Sequence, residues 1–256
     1  MSGIRSFFRD SATLRDRTLL HYWRTPKLLV AAALQPILFL LVFQAVFKGE
    51  YEQLKNLPYI EFLLPGILVQ AVIFGSTQTG LALAEDMSLG VMDRFRTAPI
   101  ASHAVLDGRI TADAVRNTMV FVVVSATGVL LGFRFHGSIL EVLLAYVMVV
   151  LIGVAFSWVQ AYLALLTRDA ETMQVVGYIW VFPLTFLSSA FVPAHTMPGW
   201  LQGFAENQPV TYVINAVRAL TKGGHVAHDT LGAVIWIVAI MLVFAPLAIR
   251  RFTRLS

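Results

Sequence analysis

Six long apolar segments are the feature of this sequence that most restricts its fold. A helix needs about 20 apolar residues to cross the roughly 30 Å hydrocarbon layer of a membrane. The segments predict transmembrane helices over Leu28 to Phe47, Phe62 to Ala84, Thr118 to Phe133, Val142 to Leu166, Met173 to Val192 and Leu231 to Ile249. The alternating pattern of membrane β-strands is absent. We therefore predict an all-α polytopic membrane protein whose 28–256 region is a six-span transmembrane domain.

The composition excludes a soluble globular domain as the main part of the chain. Only 13% of the 256 residues are charged, compared with about 25% in soluble proteins, and the mean hydropathy is +0.73. The formal net charge of +4 does not indicate a nucleic-acid partner, since most basic residues flank apolar segments. The lack of cysteine excludes a disulfide framework and a thiolate metal site.

The Lys and Arg residues predict the orientation, because cytoplasmic loops hold the excess of these residues. Fourteen of the 19 lie in residues 1–27, in the 85–117 loop, at Arg168 and in the tail from Arg250, and five lie in the remaining loops. We therefore expect a multi-pass protein of the plasma membrane with both termini in the cytoplasm.

Residues 1–27 show the pattern of an amphipathic helix. Phe7, Phe8 and Trp23 fall on the apolar half of a helical wheel, and Arg15 is the one charged residue that intrudes there. Basic helices with aromatic residues on the apolar face lie in the headgroup layer. We predict a cytoplasmic, interfacial N-terminal helix; the alternative is a disordered basic tail that only sets the orientation.

The polar segment after the second span, residues 85–117, contains a candidate docking element. Leu89, Met92 and Phe95 recur at three-residue spacing among carboxylates and arginines, and Pro99 ends the pattern. This spacing is typical of one apolar edge of a short helix, which suits binding in a groove of a partner protein. The alternative is an ordinary solvated connector.

Residues 193–230, after the fifth span, are too apolar for a simple external loop. Pro193, Pro198 and Pro209 divide them into short pieces, and Trp200 belongs to an apolar edge among these breaks. We predict outer re-entrant half-helices, which are tolerated at membrane depth where protein covers their free backbone groups.

Motifs of catalysis and of ion-driven transport are missing from the sequence. It has no G-x-x-x-x-G-K-[ST] nucleotide loop, no H-E-x-x-H and no G-x-S-x-G. The predicted spans also lack a central charged residue, which disfavours a proton- or sodium-driven pump. We therefore expect neither an enzyme nor a metal site in this chain.

The predicted spans do contain uncharged polar residues. Such side chains either bond between helices or line a path for a large amphiphile, and the sequence leaves both readings open. The candidates for the path are Gln35, Gln70, Gln78, Gln160, Gln174 and Ser188.

Two stretches resemble the permeases of type-two ATP-binding-cassette (ABC) exporters. They are EDMSLGVMDRFRTAPIASHAVLDGRI, residues 85–110, and FPLTFLSSAFVPAHTMPGWLQGFAENQPVTYVINAVRAL, residues 182–220. The GFRFHG and NQPVTYVINAVRAL segments are most similar to the daunorubicin-resistance type of permease. The residues that match the family's loop motif after the second span are Glu85, Asp86, Gly90, Asp93 and Arg94.

The resemblance implies a transporter whose chemistry lies in a partner. A separate ATPase subunit would bind ATP and magnesium, and a second permease chain, identical or paralogous, would complete the membrane part. The 85–99 segment would be the ATPase-coupling element, and the N-terminal helix would flank the ATPase. The cargo would be a hydrophobic or amphipathic compound, such as an antibiotic. Alternatives are a lipid or lipid-linked polysaccharide as cargo, and an ATP-independent channel or scaffold.

Overall fold

The computed structural model describes residues 26–55, 58–90, 102–223 and 227–255, and helices form almost all of this part. The described ranges contain eight α-helices, a short 3₁₀ turn at Ala194–Thr196 and no strand. The helices are α1 (Pro26–Lys55), α2 (Tyr59–Ser88), α3 (Ser102–Leu130), α4 (Ile139–Thr167), α5 (Ala170–Phe186), α6 (Gly199–Asn207), α7 (Pro209–Lys222) and α8 (Ala227–Leu255). The all-α prediction is confirmed for these residues.

Five of the described helices, α1 to α4 and α8, are long and apolar enough to cross a membrane. Helix α5 has 17 residues, or about 25 Å at 1.5 Å per residue. It ends at Phe186, where the Leu187 N–H bonds to the Pro183 carbonyl and turns replace the helix. The prediction of a fifth helical span up to Val192 is therefore wrong at its carboxyl end.

Helix α3 begins at Ser102, well before the predicted start at Thr118. Its apolar window, Leu106–Leu130, includes four charged residues: Asp107, Arg109, Asp113 and Arg116. The prediction of spans nearly free of charge is thus wrong for α3. A span predicted from apolar residues ends at the first charged residue. A helix can continue through charged residues when they form ion pairs and hydrogen bonds within the protein.

Helix α2 is the central element of the bundle. In its apolar window 83% of the residues are buried, compared with 17% in those of α1 and α8. It packs against α1, α3, α4, α5 and α7. Leu63 and Ile67 of α2 belong to the larger apolar core, and Leu83 belongs to a second cluster with Leu106 and Trp158. The polar residues of α2 are therefore held in place by packing on nearly every side.

The GFRFHG segment connects α3 to α4 and covers the end of α7. The N–H groups of His136 and Gly137 donate to the Thr221 carbonyl at 2.9 and 3.1 Å. A Cβ on Gly137 would collide with the Leu220 carbonyl. The loop thus satisfies a carbonyl in the last turn of α7, which otherwise has no partner within its helix.

A close backbone approach joins α2 to the turn after α5. A Cβ on Gly66 would lie 2.5 Å from the Ala190 oxygen and 2.7 Å from its Cα. We expect Gly66→Ala to lower the free energy of unfolding by about 1–3 kcal/mol, as overpacking does elsewhere. Thermal unfolding in detergent micelles measures this loss.

The matched control is Gly203→Ala on α6, where an added Cβ meets no atom within 4 Å. This variant should be at least as stable as the native chain, since alanine favours helix over glycine. Equal losses in the two variants would contradict the close-contact explanation.

Candidate functional site

A cavity of about 410 Å³ lies between α1, α2, α3 and α5. We call it the amide cavity, because four side-chain amides line it: those of Gln35, Gln70, Gln78 and Asn117. Three of these four are predicted path residues, which come from two different helices. The structure therefore brings together half of the predicted path set.

Gln70 is the amide whose environment is least complete. It is 3% exposed, and neither its Nε2 nor its Oε1 has a hydrogen-bond partner among the described residues. A buried amide without partners is destabilising by about 1–3 kcal/mol per group. This side chain thus has capacity for two donated and two accepted hydrogen bonds.

The other predicted path residues lie outside the lining of the amide cavity. Gln160 is fully buried, and its Nε2 donates to the Gly177 carbonyl at 3.1 Å, which ties α4 to α5. Ser188 donates to the Thr185 carbonyl at 2.6 Å and accepts the Ala190 N–H. Gln174 is exposed on α5. For Gln160, bonding between helices is the reading that the contacts favour.

A buried ion pair on α3 forms one wall of the amide cavity. Asp113 Oδ1 and Arg116 Nη1 are 3.3 Å apart, and the two side chains are 6% and 8% exposed. Thr79 Oγ1 of α2 donates to Asp113 Oδ2 at 2.5 Å. Arg116 Nη2 donates to the Gly75 carbonyl, also of α2, at 2.6 Å. These bonds fix α3 against α2 at the cavity.

The sequence contains a pattern that predicts this wall, although a search for apolar segments does not detect it. Arg109, Asp113 and Arg116 are spaced four and three residues apart, so that they share one face of a helix. Charges on one face of a membrane helix usually turn toward protein or water. The spacing would have extended the third span toward Ser102.

Arg109 connects the amide cavity to the end of α2. It lines the cavity and donates from Nη1 to Asp86 Oδ2 at 2.5 Å. Asp86 is one of the predicted coupling residues. The pair is partly exposed, with 25% of the Arg109 side chain and 35% of the Asp86 side chain accessible, so its energetic value is modest.

The other predicted coupling residues are described only in part. Glu85 and Leu89 are exposed at the end of α2, and Gly90 has a φ of 66°, in the left-handed region that favours glycine. Asp93, Arg94, Phe95 and Pro99 lie outside the described residues. The same holds for Phe7, Phe8, Arg15 and Trp23 of the N-terminal segment.

A second cavity, of about 620 Å³, lies near α6 and α7 and includes Arg218 in its lining. Pro193 lines it as well, and Pro209 opens α7 at the first helical position. Pro198 precedes α6, and Trp200 on α6 is 82% exposed. The three prolines thus separate the 3₁₀ turn, α6 and α7, in accordance with the predicted division into short pieces.

Arg218 of α7 holds three segments together beside this second cavity. Its Nη2 donates to the carbonyls of Phe62 and Ser189 at 3.0 and 2.9 Å, and its Nη1 donates to Asn215 Oδ1 at 3.1 Å. The guanidinium carbon also lies 3.9 Å from the centre of the Phe62 ring. Burial lowers the pKa of Arg218 to about 10, so the side chain stays charged at neutral pH.

Among the described residues, no group of three or more His, Asp or Glu side chains is placed to hold a metal ion. The polar groups of the amide cavity are amides, a hydroxyl and paired charges, which bind by hydrogen bonds. The lining of the amide cavity thus offers hydrogen-bond donors and acceptors.

Comparison with known proteins identifies the family. The family model described as "ABC-2 type transporter" matches residues 11–221. The chain is 35% identical over 249 residues to a daunorubicin resistance ABC transporter permease protein of Streptomyces coeruleorubidus, covering 94% of this chain and 87% of that protein. It is 33% identical over 256 residues to a probable doxorubicin resistance ABC transporter permease protein of Mycobacterium tuberculosis, covering 97% and 90%. The helical bundle with its amide cavity thus belongs to a membrane subunit of the ABC-2 type transporter family.

Proposed function

We propose that this chain is the permease subunit of an ATP-driven exporter of hydrophobic or amphipathic, drug-like compounds. The names of its relatives, which are resistance permeases, support this cargo class. The observation that carries the proposal is the continuity of α2. One helix lines the amide cavity with Gln70 and Gln78 and ends in Glu85 and Asp86, the residues that match the coupling motif.

We further propose six membrane spans, with α5 and the turn after it forming the fifth. The segment from Leu187 to Val192, which has four apolar residues and two serines, extends the roughly 25 Å of α5 toward the thickness of the hydrocarbon layer. With both termini cytoplasmic, α6 and α7 lie on the outer side as half-helices. The excess of Lys and Arg in the cytoplasmic loops supports this orientation.

The proposed partners are an ATPase subunit, which binds ATP and magnesium, and a second permease chain, identical or paralogous. Exposed amides on three apolar helices support the second chain: Gln35 on α1, Gln78 on α2 and Gln174 on α5. Polar groups that face lipid are unfavourable by several kcal/mol when nothing bonds to them. A second chain, or a water-filled path between two chains, relieves this unfavourable exposure.

In the proposed mechanism, ATP-driven closure of the ATPase pair presses on residues 85–99 and, beside them, on the N-terminal helix. A push at the end of α2 reaches the amide cavity by two routes. It moves α2 itself, and it moves α3 through the Asp86–Arg109 ion pair. The α2 and α3 walls then shift relative to α1 and α5, and the cargo is released outward.

Reversing one charge in the coupling segment tests this function. We expect Glu85→Lys to reduce ATP-dependent export at least tenfold in vesicles that contain the permease and its ATPase. The matched control is Glu171→Lys, an exposed glutamate in the first turn of α5, which should export at the native rate. Export is measured as ATP-dependent accumulation of a fluorescent amphiphile in inverted vesicles.

Two results would contradict the proposal. The first is ATP hydrolysis by the purified chain without an ATPase subunit. The second is native export and cargo-stimulated ATPase activity in Glu85→Lys combined with Arg94→Glu.

A further inference from the structure

We infer that the amide cavity is a binding site for an uncharged group that donates and accepts hydrogen bonds side by side, carried on an apolar body. Gln70 is the residue that recognises this group. The inference rests on the proposed export function, because it names the chemical class of the cargo that enters the membrane subunit.

The first support is the hydrogen-bonding state of Gln70. Its side chain lines the cavity and is almost fully buried, yet both amide atoms lack a partner among the described residues. A planar amide presents an N–H donor and a C=O acceptor next to each other. The complementary ligand group therefore presents an acceptor beside a donor, as a primary amide or a hydroxy-carbonyl does.

The second support is the charge balance of the lining. Arg109 is paired with Asp86, and Arg116 is paired with Asp113. Each guanidinium thus already has a carboxylate partner, so the cavity has no excess charge for a ligand to neutralise. Moving an ionised ligand out of water without a countercharge is strongly unfavourable. An uncharged ligand is therefore favoured.

The third support is the size and the apolar lining of the cavity. Phe39 from α1, Phe74 from α2 and Tyr178 from α5 contribute aromatic rings, and Val120 contributes an aliphatic wall. The volume of about 410 Å³ falls in the roughly 300–1,000 Å³ range of small-molecule sites. The cavity therefore suits an apolar body of small-molecule size that packs against aromatic rings.

Binding of 2-naphthamide to the full chain in lipid nanodiscs tests this inference. The comparison ligand is N,N-dimethyl-2-naphthamide, which keeps the carbonyl acceptor but has lost the N–H donor. The comparison protein is Gln70→Met, which keeps the size of the side chain and removes both polar atoms. The matched control is Gln44→Met on α1, a half-buried glutamine that also has an unpartnered amide oxygen but lies outside the cavity lining.

We expect the native chain to bind 2-naphthamide about tenfold more tightly than the dimethyl analogue, as one lost hydrogen bond implies. Gln70→Met should bind 2-naphthamide at least tenfold more weakly and should no longer distinguish the two ligands. Gln44→Met should behave like the native chain. Equilibrium dialysis, corrected with empty nanodiscs, provides the affinities.

Equal affinities for the two ligands in the native chain would overturn the inference and would indicate that water satisfies Gln70. Unchanged binding in Gln70→Met would overturn it as well. If Gln70→Met does not fold, the ligand comparison on the native chain still decides. The assay contains no ATPase, so a failure here with intact ATP-dependent export leaves the proposed function standing. Amide-selective binding without any ATP-dependent export would instead contradict the proposed function.

Discussion

Asp113→Leu is expected to lower the free energy of unfolding by about 3–5 kcal/mol, the usual effect of removing one partner of a buried ion pair. The substitution leaves the Arg116 guanidinium buried without its carboxylate, and it leaves the Thr79 hydroxyl without the Oδ2 acceptor. Arg116→Met should cause a loss of similar size, because the buried Asp113 carboxylate then loses its guanidinium partner. Reversible unfolding by SDS titration in mixed micelles measures both.

The double variant Asp113→Leu with Arg116→Met should be far less destabilised than the sum of the two single losses. It leaves no uncompensated charge, and apolar replacements of similar volume often cost little. A coupling energy of about 2 kcal/mol or more is therefore expected from the double-mutant cycle.

The matched control cycle uses Asp86 and Arg109, whose side chains are about three to six times more accessible than those of the buried pair. Its coupling should stay below about 1 kcal/mol, as for exposed pairs. Additive losses at Asp113 and Arg116 would show that the two side chains do not stabilise each other. That result would contradict the assignment of their ion pair as one wall of the amide cavity.

Arg218→Met is expected to lower the free energy of unfolding by about 2–4 kcal/mol. The carbonyls of Phe62 and Ser189 and the Asn215 side chain all lose a charged donor, and each such hydrogen bond contributes about 1.5–3 kcal/mol at most. Loss of the contact with the Phe62 ring adds to this. Arg218→Lys should recover only part of the loss, because an ammonium group cannot reproduce the planar fork of donors.

The control for Arg218 is Arg254→Met, an exposed arginine near the end of α8. The free energy of unfolding of Arg254→Met should differ from that of the native chain by less than about 0.5 kcal/mol, as is usual for exposed positions. The local prediction for Arg218→Met is faster proteolysis of the Ser189 to Asn207 region, since the anchored turn is released. A variant with native stability and native proteolysis would exclude Arg218 as the anchor of this region.

The relation between sequence and fold is clearest at α3 and α5, where the predicted boundaries were wrong for opposite reasons. Helix α3 is longer than its apolar run, because Asp113 and Arg116 are paired and bonded to α2. Helix α5 is shorter than its apolar run, because the Ser189 N–H donates to the Thr211 hydroxyl of α7 and the chain turns toward that helix. In both places side-chain partners outside the local segment determined where the helix begins or ends.

The candidate path residues illustrate the same limit. Six uncharged polar residues were predicted from their position in apolar runs, and only Gln35, Gln70 and Gln78 line the amide cavity. The amide nitrogen of Gln160 donates to the Gly177 carbonyl, whereas no described group bonds to the amide nitrogen of Gln70. That difference is set by which helices are neighbours.

The sequence by itself determined that the chain is helical, membrane-embedded and related to ABC-2 permeases. Long apolar runs can satisfy their backbone groups in lipid only as helices, and the loop motifs are contiguous in the chain. Only the tertiary structure decided that amides from α1, α2 and α3 converge, that two ion pairs border them and that Arg218 joins α7 to α2. These relations depend on lateral packing between helices distant in sequence, which the periodicity of a single helix does not encode.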